Sequence, residues 1–299
     1  MSWQFVLTGL LIGALVGMTG MGGGSLMTPI LIIFFGFKPT LAVGTDLLHG
    51  AIFKSFGAVR HRQLGTVNAR LAAWMFLGSG PSSLLGVSLA AYLEREYGEG
   101  VASAEGKAIG VALIIGGLGF LAKTFLKPKP IRNDWELDRR DKIIAVTIGA
   151  SCGFIVGLTS VGSGTFFGLL MLLIFPMAAA NIVGTDIFHA AGLLWVAGFG
   201  HLVAGNVDVH AIGWLLLGSI PGVLIGSNLA VRLPERGLRV AFATVLTMSG
   251  LKLLDVPYGS WVIPAGLGLG FAALCWLGFR ELAARQARPF PVPERATVK

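Results

Sequence analysis

Two short stretches of the chain place an aspartate and a histidine three residues apart inside apolar sequence: VGTDLLH at 43–49 and VGTDIFH at 183–189. Residues three apart share a helix face, so each pair points in one direction. Ionisable groups in membrane segments usually face the bundle interior and mark ion or substrate paths, and histidine changes charge near neutral pH. We therefore interpret Asp46 with His49, and Asp186 with His189, as groups that shape a site and exchange protons.

A second interpretation of these stretches stays open. Thr45 or Asp46 would cap a helix that begins just after Gly44, with the histidine held in a core hydrogen bond. Capping is compatible with a site, because it would place a helix end beside a cavity. An ionised aspartate would repel an anion unless it were protonated or turned away.

A glycine-rich segment precedes each Asp-His pair: GMTGMGGGSLMTP at 17–29 and GLTSVGSGTFFG at 157–168. We interpret these segments as unwound joints, whose free amides and following helix N-terminus face an anion. Hydroxyl donors would come from Ser25, Thr28, Ser163 and Thr165. The alternative is that small residues merely let membrane helices pack closely.

The two sets of motifs belong to an internal repeat. A single offset, 186 − 46 = 140, aligns them without a gap. The same offset pairs Trp74, Gly78, Ser79, Pro81 and Gly86 with Trp214, Gly218, Ser219, Pro221 and Gly226. The chain therefore carries two copies of one structural unit.

Composition predicts that these units are membrane helices. The chain of 299 residues is 54% hydrophobic and 13% charged, and its mean hydropathy is +0.77, whereas soluble domains carry about 25% charged residues. Apolar runs of membrane-spanning length predict an all-α polytopic membrane protein with about 8–11 segments. We place helices near 3–20, 24–37, 40–60, 70–92, 107–126, 142–160, 164–177, 181–204, 209–231, 238–254 and 259–280.

The loop charges predict that the second copy is inverted relative to the first. Arginines cluster near 60–70 and in the linker 127–142, but no Lys or Arg occurs between Lys142 and Arg232. Basic loops are cytoplasmic, and an odd number of segments per copy turns the second one over. We expect a first repeat at 1–126, a cytoplasmic linker at 127–142, a second repeat with a final helix at 143–280 and a cytoplasmic basic tail at 281–299.

The remaining polar residues are less informative about the function of the protein. Lys54 has Leu194 at the equivalent position and could attract an anion, but it lies within two turns of Arg60, so we expect it to extend toward the cytoplasmic surface. His61 and His201 are expected at opposite membrane faces. No metal-ligand spacing occurs, no nucleophile accompanies the histidines and aspartates, and the basic residues separate apolar segments. We expect no metal, cofactor, catalytic residue or nucleic-acid partner.

The motifs GMGGGS-x-x-TP, GTD-x-x-x-x-G, GSGPSSLLG and GSIPGVLIG, together with the duplicated layout, resemble those of the sulfite exporter TauE/SafE family over about 4–280. The resemblance implies a transporter of small sulfur anions in a bacterial or archaeal inner membrane. It implies a substrate site at Gly22, Gly23, Gly24, Ser25, Thr45, Asp46, Gly162, Ser163, Gly164, Thr165, Thr185 and Asp186. The second copy reads GSGT where the first reads GGGS and lacks an equivalent of Pro29, so two equal sites are not expected.

From the residues and the resemblance together we expect a secondary transporter, not an enzyme, that exports sulfite or an organosulfonate. Alternating access would act at a midplane site between inverted repeats that also includes His49 and His189. The expected partners are the anion, coupled protons and the lipid bilayer, with a homodimer left open and the C-terminus in the cytoplasm. The alternatives are a carrier of another small organic anion and a membrane scaffold or assembly subunit.

Overall fold

The structure, a computed structural model, describes residues 2–19, 24–97, 99–126, 129–132, 135–230 and 235–256 and four positions near the C-terminus, 265, 266, 268 and 272. Within these ranges the chain is all-α, as predicted, and contains no strand. The predicted helix at 259–280, apart from those four positions, and the tail at 281–299 lie outside the described residues. The helices are α1 Ser2–Thr19, α2 Gly24–Phe35, α3 Pro39–Gln63, α4 Ala69–Tyr97, α5 Glu99–Phe125, α6 Arg139–Thr159, α7 Phe166–Ile174, α8 Ala179–Val203, α9 Val209–Ala230 and α10 Glu235–Leu253.

Among the described helices, five contain segments long and apolar enough to cross a membrane: Ala69–Tyr97, Ser103–Ala122, Arg139–Thr159, Ala179–Val203 and Val209–Gly226. Shorter apolar segments occur at Ser2–Val16, Leu26–Phe35 and Phe242–Leu253. Helix α3 is absent from this set, because it carries Asp46, Lys54 and two arginines. Asp46 and Lys54 are buried by other helices, whereas Arg60 and Arg62 near the end of α3 are exposed. The buried pair makes α3 the polar centre of a multi-pass membrane bundle.

Among the described helices, two pairs make the most extensive contacts, α1 with α9 and α4 with α6. Glycines allow the contact, since a Cβ at Gly149 of α6 would overlap the Met75 carbonyl and one at Gly9 of α1 would overlap the Leu215 carbonyl. The repeat offset of 140 converts each of these contacts into the other. Each copy therefore packs its first helix against the fourth helix of the other copy.

The equivalent helices α3 and α8 also pack directly against each other. Gly44 lies beside His201 and Gly57 beside Ile187, so residue numbers rise along α3 as they fall along α8. Residue numbers also run in opposite directions along α5 and α10, because Gly110 lies beside Leu254 and Gly117 beside Thr247. Both pairs of equivalent helices are antiparallel.

The linker between the copies packs on the end of α7. Lys129 donates its backbone N–H to the Leu172 carbonyl and Arg132 to the Pro176 carbonyl. The Trp135 ring lies 5.6 Å from that of Phe175, and its indole N–H donates to Asp141 at the start of α6. These contacts fix the short α7 relative to the start of α6.

We expect Gly149→Val to lower the stability of the protein by about 1–3 kcal/mol, because the added side chain forces α6 away from the Met75 carbonyl. The measurement is the thermal melting temperature of the purified protein in detergent. Gly213→Ala is the matched control, since a Cβ at Gly213 would meet no atom within 4 Å. Equal melting temperatures for Gly149→Val and the unmodified protein would refute the close contact.

Candidate functional site

The second glycine-rich segment is a break in the protein interior. Helix α6 ends at Thr159, Ser160 then has φ 59°, and Gly162 and Gly164 have φ 127° and 104°. Glycine reaches such angles without steric cost, which explains the two glycines of GSG. Ser160 adopts a left-handed conformation despite its side chain, and strain of this kind is often kept at functional sites.

The structure describes only part of the first glycine-rich segment. Gly22 and Gly23 lie outside the described residues, and of Gly24 and Ser25 the structure describes the helical backbone alone. The helices that follow the two segments are short, with 12 residues in α2 and nine in α7. At 1.5 Å per residue these correspond to about 18 Å and 14 Å, less than the roughly 30 Å of a hydrocarbon core.

Asp46 lies inside α3, and the capping interpretation is wrong. The helix begins at Pro39 with Lys38 as its cap, more than a turn before Thr45 and Asp46, and α8 likewise begins at Ala179. The Asp46 carboxylate is buried and accepts hydrogen bonds from Thr28 Oγ1 at 2.6 Å and Ser160 Oγ at 2.8 Å. It therefore connects α2 and α3 of the first copy to the break of the second.

Lys54 does not extend to the surface, contrary to our expectation. Its side chain is 4% exposed, and Nζ donates to Ser163 Oγ at 2.9 Å and to the Ser163 carbonyl at 3.3 Å. The ammonium group also interacts electrostatically with both Asp46 and Asp186. The sequence analysis placed Lys54 at the membrane surface because it is close to Arg60. The available signal was the loss of repeat symmetry at Leu194.

The two histidines form equivalent contacts across the two copies. His49 Nε2 lies 3.0 Å from Ser219 Oγ of α9, and His189 Nε2 lies 2.8 Å from Ser79 Oγ of α4. Sequence analysis had aligned Ser79 with Ser219 without giving them a role. Each of these two serines lies two residues before a proline inside a helix, and this recurrence in both copies could have identified them.

Thr45 and Thr185 contact loops instead of facing a cavity. Thr45 Oγ1 accepts the backbone N–H of Asp208 at 2.9 Å, and Thr185 Oγ1 accepts that of Asn68 at 2.9 Å. A Cβ at the preceding Gly44 would overlap the Asn206 carbonyl, and one at Gly184 would overlap Thr66. In each GTD motif the glycine and the threonine therefore contact a loop of the other copy. The aspartate of the motif instead belongs to the buried cluster.

His201 is fully buried, and its Nε2 lies 2.9 Å from the Gly157 carbonyl. His61 is partly buried, and its Nδ1 lies 2.9 Å from Thr66 Oγ1. These two histidines support the glycine-rich break and the loop 64–68, respectively.

A cavity of about 10 Å³ lies beside the buried cluster of the first copy. That volume holds roughly one water molecule. Polar groups from α3 and α9 meet apolar side chains from α1 and α2 in its wall, which is formed by Ile12, Gly13, Val16, Met27, Asp46, His49, Gly50, Phe53, Lys54 and Ser219. The described cluster is therefore closed around a space smaller than any multi-atom anion.

The second copy differs at the equivalent place. Phe167 stands where the first copy has Met27, and its fully buried ring lies 4.5 Å from that of His189. His189 Nδ1 and Thr165 Oγ1 are buried and make no hydrogen bond within the described part of the chain. The hydroxyls that hold Asp46 do not recur, because Gly168 and Gly20 occupy the positions equivalent to Thr28 and Ser160. The two copies thus surround one asymmetric cluster.

Comparison with known proteins places the chain among transporters of bacteria and archaea. It is 41% identical over 256 residues to the "Probable membrane transporter protein YjnA" of Bacillus subtilis, covering 85% of this chain and 100% of that protein. The "Probable membrane transporter protein MJ0441" of Methanocaldococcus jannaschii is 23% identical over 269 residues, with 83% and 94% covered. No solved structure matches the chain. The family model described as "Sulfite exporter TauE/SafE" matches residues 5–253, and the chain belongs to that family.

Proposed function

We propose that this protein is a secondary transporter that exports a small sulfur-containing anion, such as sulfite or an organosulfonate, across the cytoplasmic membrane. The observation that carries the proposal is the buried cluster in which Asp46 and Lys54 of the first copy bond to Ser160 and Ser163 of the second. Buried charges inside a membrane bundle are expensive and usually belong to an ion or substrate path. The relatives named as membrane transporters are consistent with this function.

The helix directions support alternating access between inverted repeats. Equivalent helices α3 and α8 are antiparallel, and each copy packs its first helix on the fourth helix of the other. A two-fold relation of this kind lets the copies exchange conformations around a fixed site. In this proposal residues 1–126 and 143–280 form the two repeats, 127–142 is a cytoplasmic linker, and the basic tail at 281–299 is cytoplasmic.

The polar groups of the cluster suit an anion. Lys54 provides a full positive charge, and the break at 160–165 provides the Ser163 and Thr165 hydroxyls before the N-terminus of α7. No side-chain hydrogen bond caps that helix end, and helix N-termini favour negative charge. The small cavity corresponds to a closed state, so transport requires the copies to separate on one side at a time.

A carrier of another small organic anion is the second candidate. The Lys54 ammonium is a point charge that attracts carboxylates as well as sulfur oxyanions. The discrimination between these anions would therefore depend on the size and hydrogen bonding of the opened cavity.

The experiment is reconstitution of the purified protein in liposomes, with charge movement recorded on solid-supported membranes. Sulfite, methanesulfonate, sulfoacetate, sulfate and acetate are presented in turn, with and without a pH gradient, and protein-free liposomes are the control. We expect saturable signals for sulfite and methanesulfonate. Signals for acetate alone would favour the organic-anion carrier, and silence toward every anion from correctly folded protein would refute transport and leave a scaffold role.

A further inference from the structure

We propose that Lys54 is the group that binds the transported anion, so that each chain holds a single anion and prefers one with a single negative charge. The inference rests on the proposed transport function and specifies the substrate class of the same cluster. It departs from the pattern of motifs that both copies share, because the residue concerned occurs in one copy alone.

Among the lysines and arginines whose side chains the structure describes, Lys54 is the one that is buried. Its ammonium group has three donor hydrogens, and the Ser163 hydroxyl and carbonyl oxygens take two of them. The side chain also lines the small cavity together with Asp46, His49 and Ser219. A full positive charge with a remaining donor thus borders the space that would enlarge to admit an anion.

The contacts of Lys54 with Ser163 are of a kind that an anion can replace. Both acceptors are uncharged oxygens, at 2.9 Å and 3.3 Å, and a hydrogen bond from an ammonium to an anionic oxygen is stronger than one to a neutral oxygen. Ser163 lies in the glycine break, between Gly162 and Gly164 with their positive φ angles. We expect the ammonium to exchange Ser163 for the substrate when the two copies move apart.

The asymmetry of the copies limits the stoichiometry to one anion. At the position equivalent to Lys54 the second copy has Leu194, a fully apolar side chain whose Cδ1 packs near Gly50. Phe167 lies against His189 on that side. Among the lysines and arginines whose side chains the structure describes, no second one is buried in the cluster, so the single Lys54 ammonium group lies between the two copies.

The charges around Lys54 limit the charge of the substrate. Asp46 and Asp186 already interact with the ammonium, so the cluster has no surplus of positive charge. Whatever the protonation of the two aspartates, a dianion adds one more negative charge than a monoanion to a cluster with a single ammonium group, and a further uncompensated buried charge is strongly unfavourable. We expect methanesulfonate to bind at least about tenfold more tightly than sulfate.

Lys54→Gln, Lys54→Arg and Lys107→Gln test this assignment in the liposome assay, with methanesulfonate and sulfate as probes. Gln removes the charge at similar length, Arg keeps the charge, and Lys107 is an exposed lysine of α5 that serves as the matched control. We expect Lys54→Gln to raise the KM for methanesulfonate at least about tenfold, Lys54→Arg to raise it less, and Lys107→Gln to leave it unchanged. Size-exclusion profiles and melting temperatures check the fold.

The outcomes separate this inference from the function on which it depends. Absence of any saturable signal from the unmodified protein would refute transport itself. A signal from the unmodified protein with the same KM in Lys54→Gln, or equal affinities for methanesulfonate and sulfate, would overturn the role of Lys54 alone. If Lys54→Gln does not fold, the comparison of Lys54→Arg with the unmodified protein still decides: a change of anion preference supports contact with the substrate, and an identical preference overturns it.

Discussion

Asp46→Asn is expected to uncouple anion movement from the pH gradient. In this variant, exchange of one anion for another across the membrane continues, while net transport driven by a pH gradient falls roughly tenfold or more. The variant removes one negative charge and keeps the shape of the side chain. Its amide oxygen still accepts the hydrogen bonds that Thr28 and Ser160 donate to Asp46 Oδ2.

The physical reason lies in the charges that face Asp46. The ammonium of Lys54 on the same helix and the carboxylate of Asp186 on α8 share one electrostatic cluster with it. His49, one turn further along α3, lines the same cavity, and neutral hydroxyls approach from α2 and from the break after α6. With both aspartates ionised, the cluster carries one more negative than positive charge. An incoming anion is then accommodated best when one carboxylate takes up a proton.

An asparagine imitates the protonated carboxyl permanently, so the anion still enters and leaves, but the proton no longer has to accompany it. The measurement compares counterflow of labelled sulfite with uptake driven by a pH gradient in the same liposomes. Glu96→Gln, at an exposed glutamate of α4, is the control for the loss of one carboxylate. Equal loss of both activities in Asp46→Asn, or full retention of both, would refute proton coupling through this residue.

Much of the fold could be predicted from the sequence, because the repeat is visible as matching residues at a constant offset and the helices are visible as apolar segments. A constant offset of 140 implied that helices such as α3 and α8 are equivalent. The positions of α2 and α7 followed from the apolar runs at 24–37 and 164–177, each of which comes after a glycine-rich segment. Capping failed as an explanation of Asp46, because α3 continues through Gly44 and Thr45. In that helix the glycine is used for close approach of the other copy, not for a helix boundary.

The candidate site was predicted in part, since local motifs identify residues but not the residues that they meet. The sequence indicated Asp46 and His49, whereas Ser219 is 170 positions from His49 and becomes its neighbour only through the packing of α3 on α9. Lys54 was misplaced because charge near a segment end usually indicates the membrane surface. Its burial depends on Ser163, a partner 109 residues away, which no single segment of the sequence reveals.

The symmetric and the asymmetric contacts suggest separate tasks. The two His–Ser contacts and the two Thr–loop contacts occur in both copies and would persist through an exchange of conformations. Lys54 and the hydroxyls around Asp46 occur once and give the cluster its chemistry. In the proposed transporter, the symmetric contacts would take part in the exchange of conformations and the asymmetric contacts in anion binding, so substitutions at the two kinds of contact should differ in effect.

Gly44→Ala and Gly184→Ala are therefore expected to open the protein toward opposite sides of the membrane. A Cβ at Gly44 overlaps the Asn206 carbonyl in the loop 204–208, and one at Gly184 overlaps Thr66 in the loop 64–68. Since α3 and α8 are antiparallel, the two loops lie at opposite ends of this helix pair. Crowding of about 1–3 kcal/mol at one loop would shift the population of open states by roughly 5- to 150-fold.

The test is labelling of a cysteine introduced by Ser219→Cys, at the wall of the small cavity, with a membrane-impermeant maleimide. The native Cys152 and Cys275 are first replaced by alanine. We expect faster labelling from one face in Gly44→Ala and from the other face in Gly184→Ala, with loss of net transport in both and neither change in Gly213→Ala. Faster labelling from the same face in both variants would contradict the inverted arrangement. Unchanged labelling in both would show that these loops do not close the cluster, because a single methyl group at either glycine displaces the loop that the adjacent threonine holds.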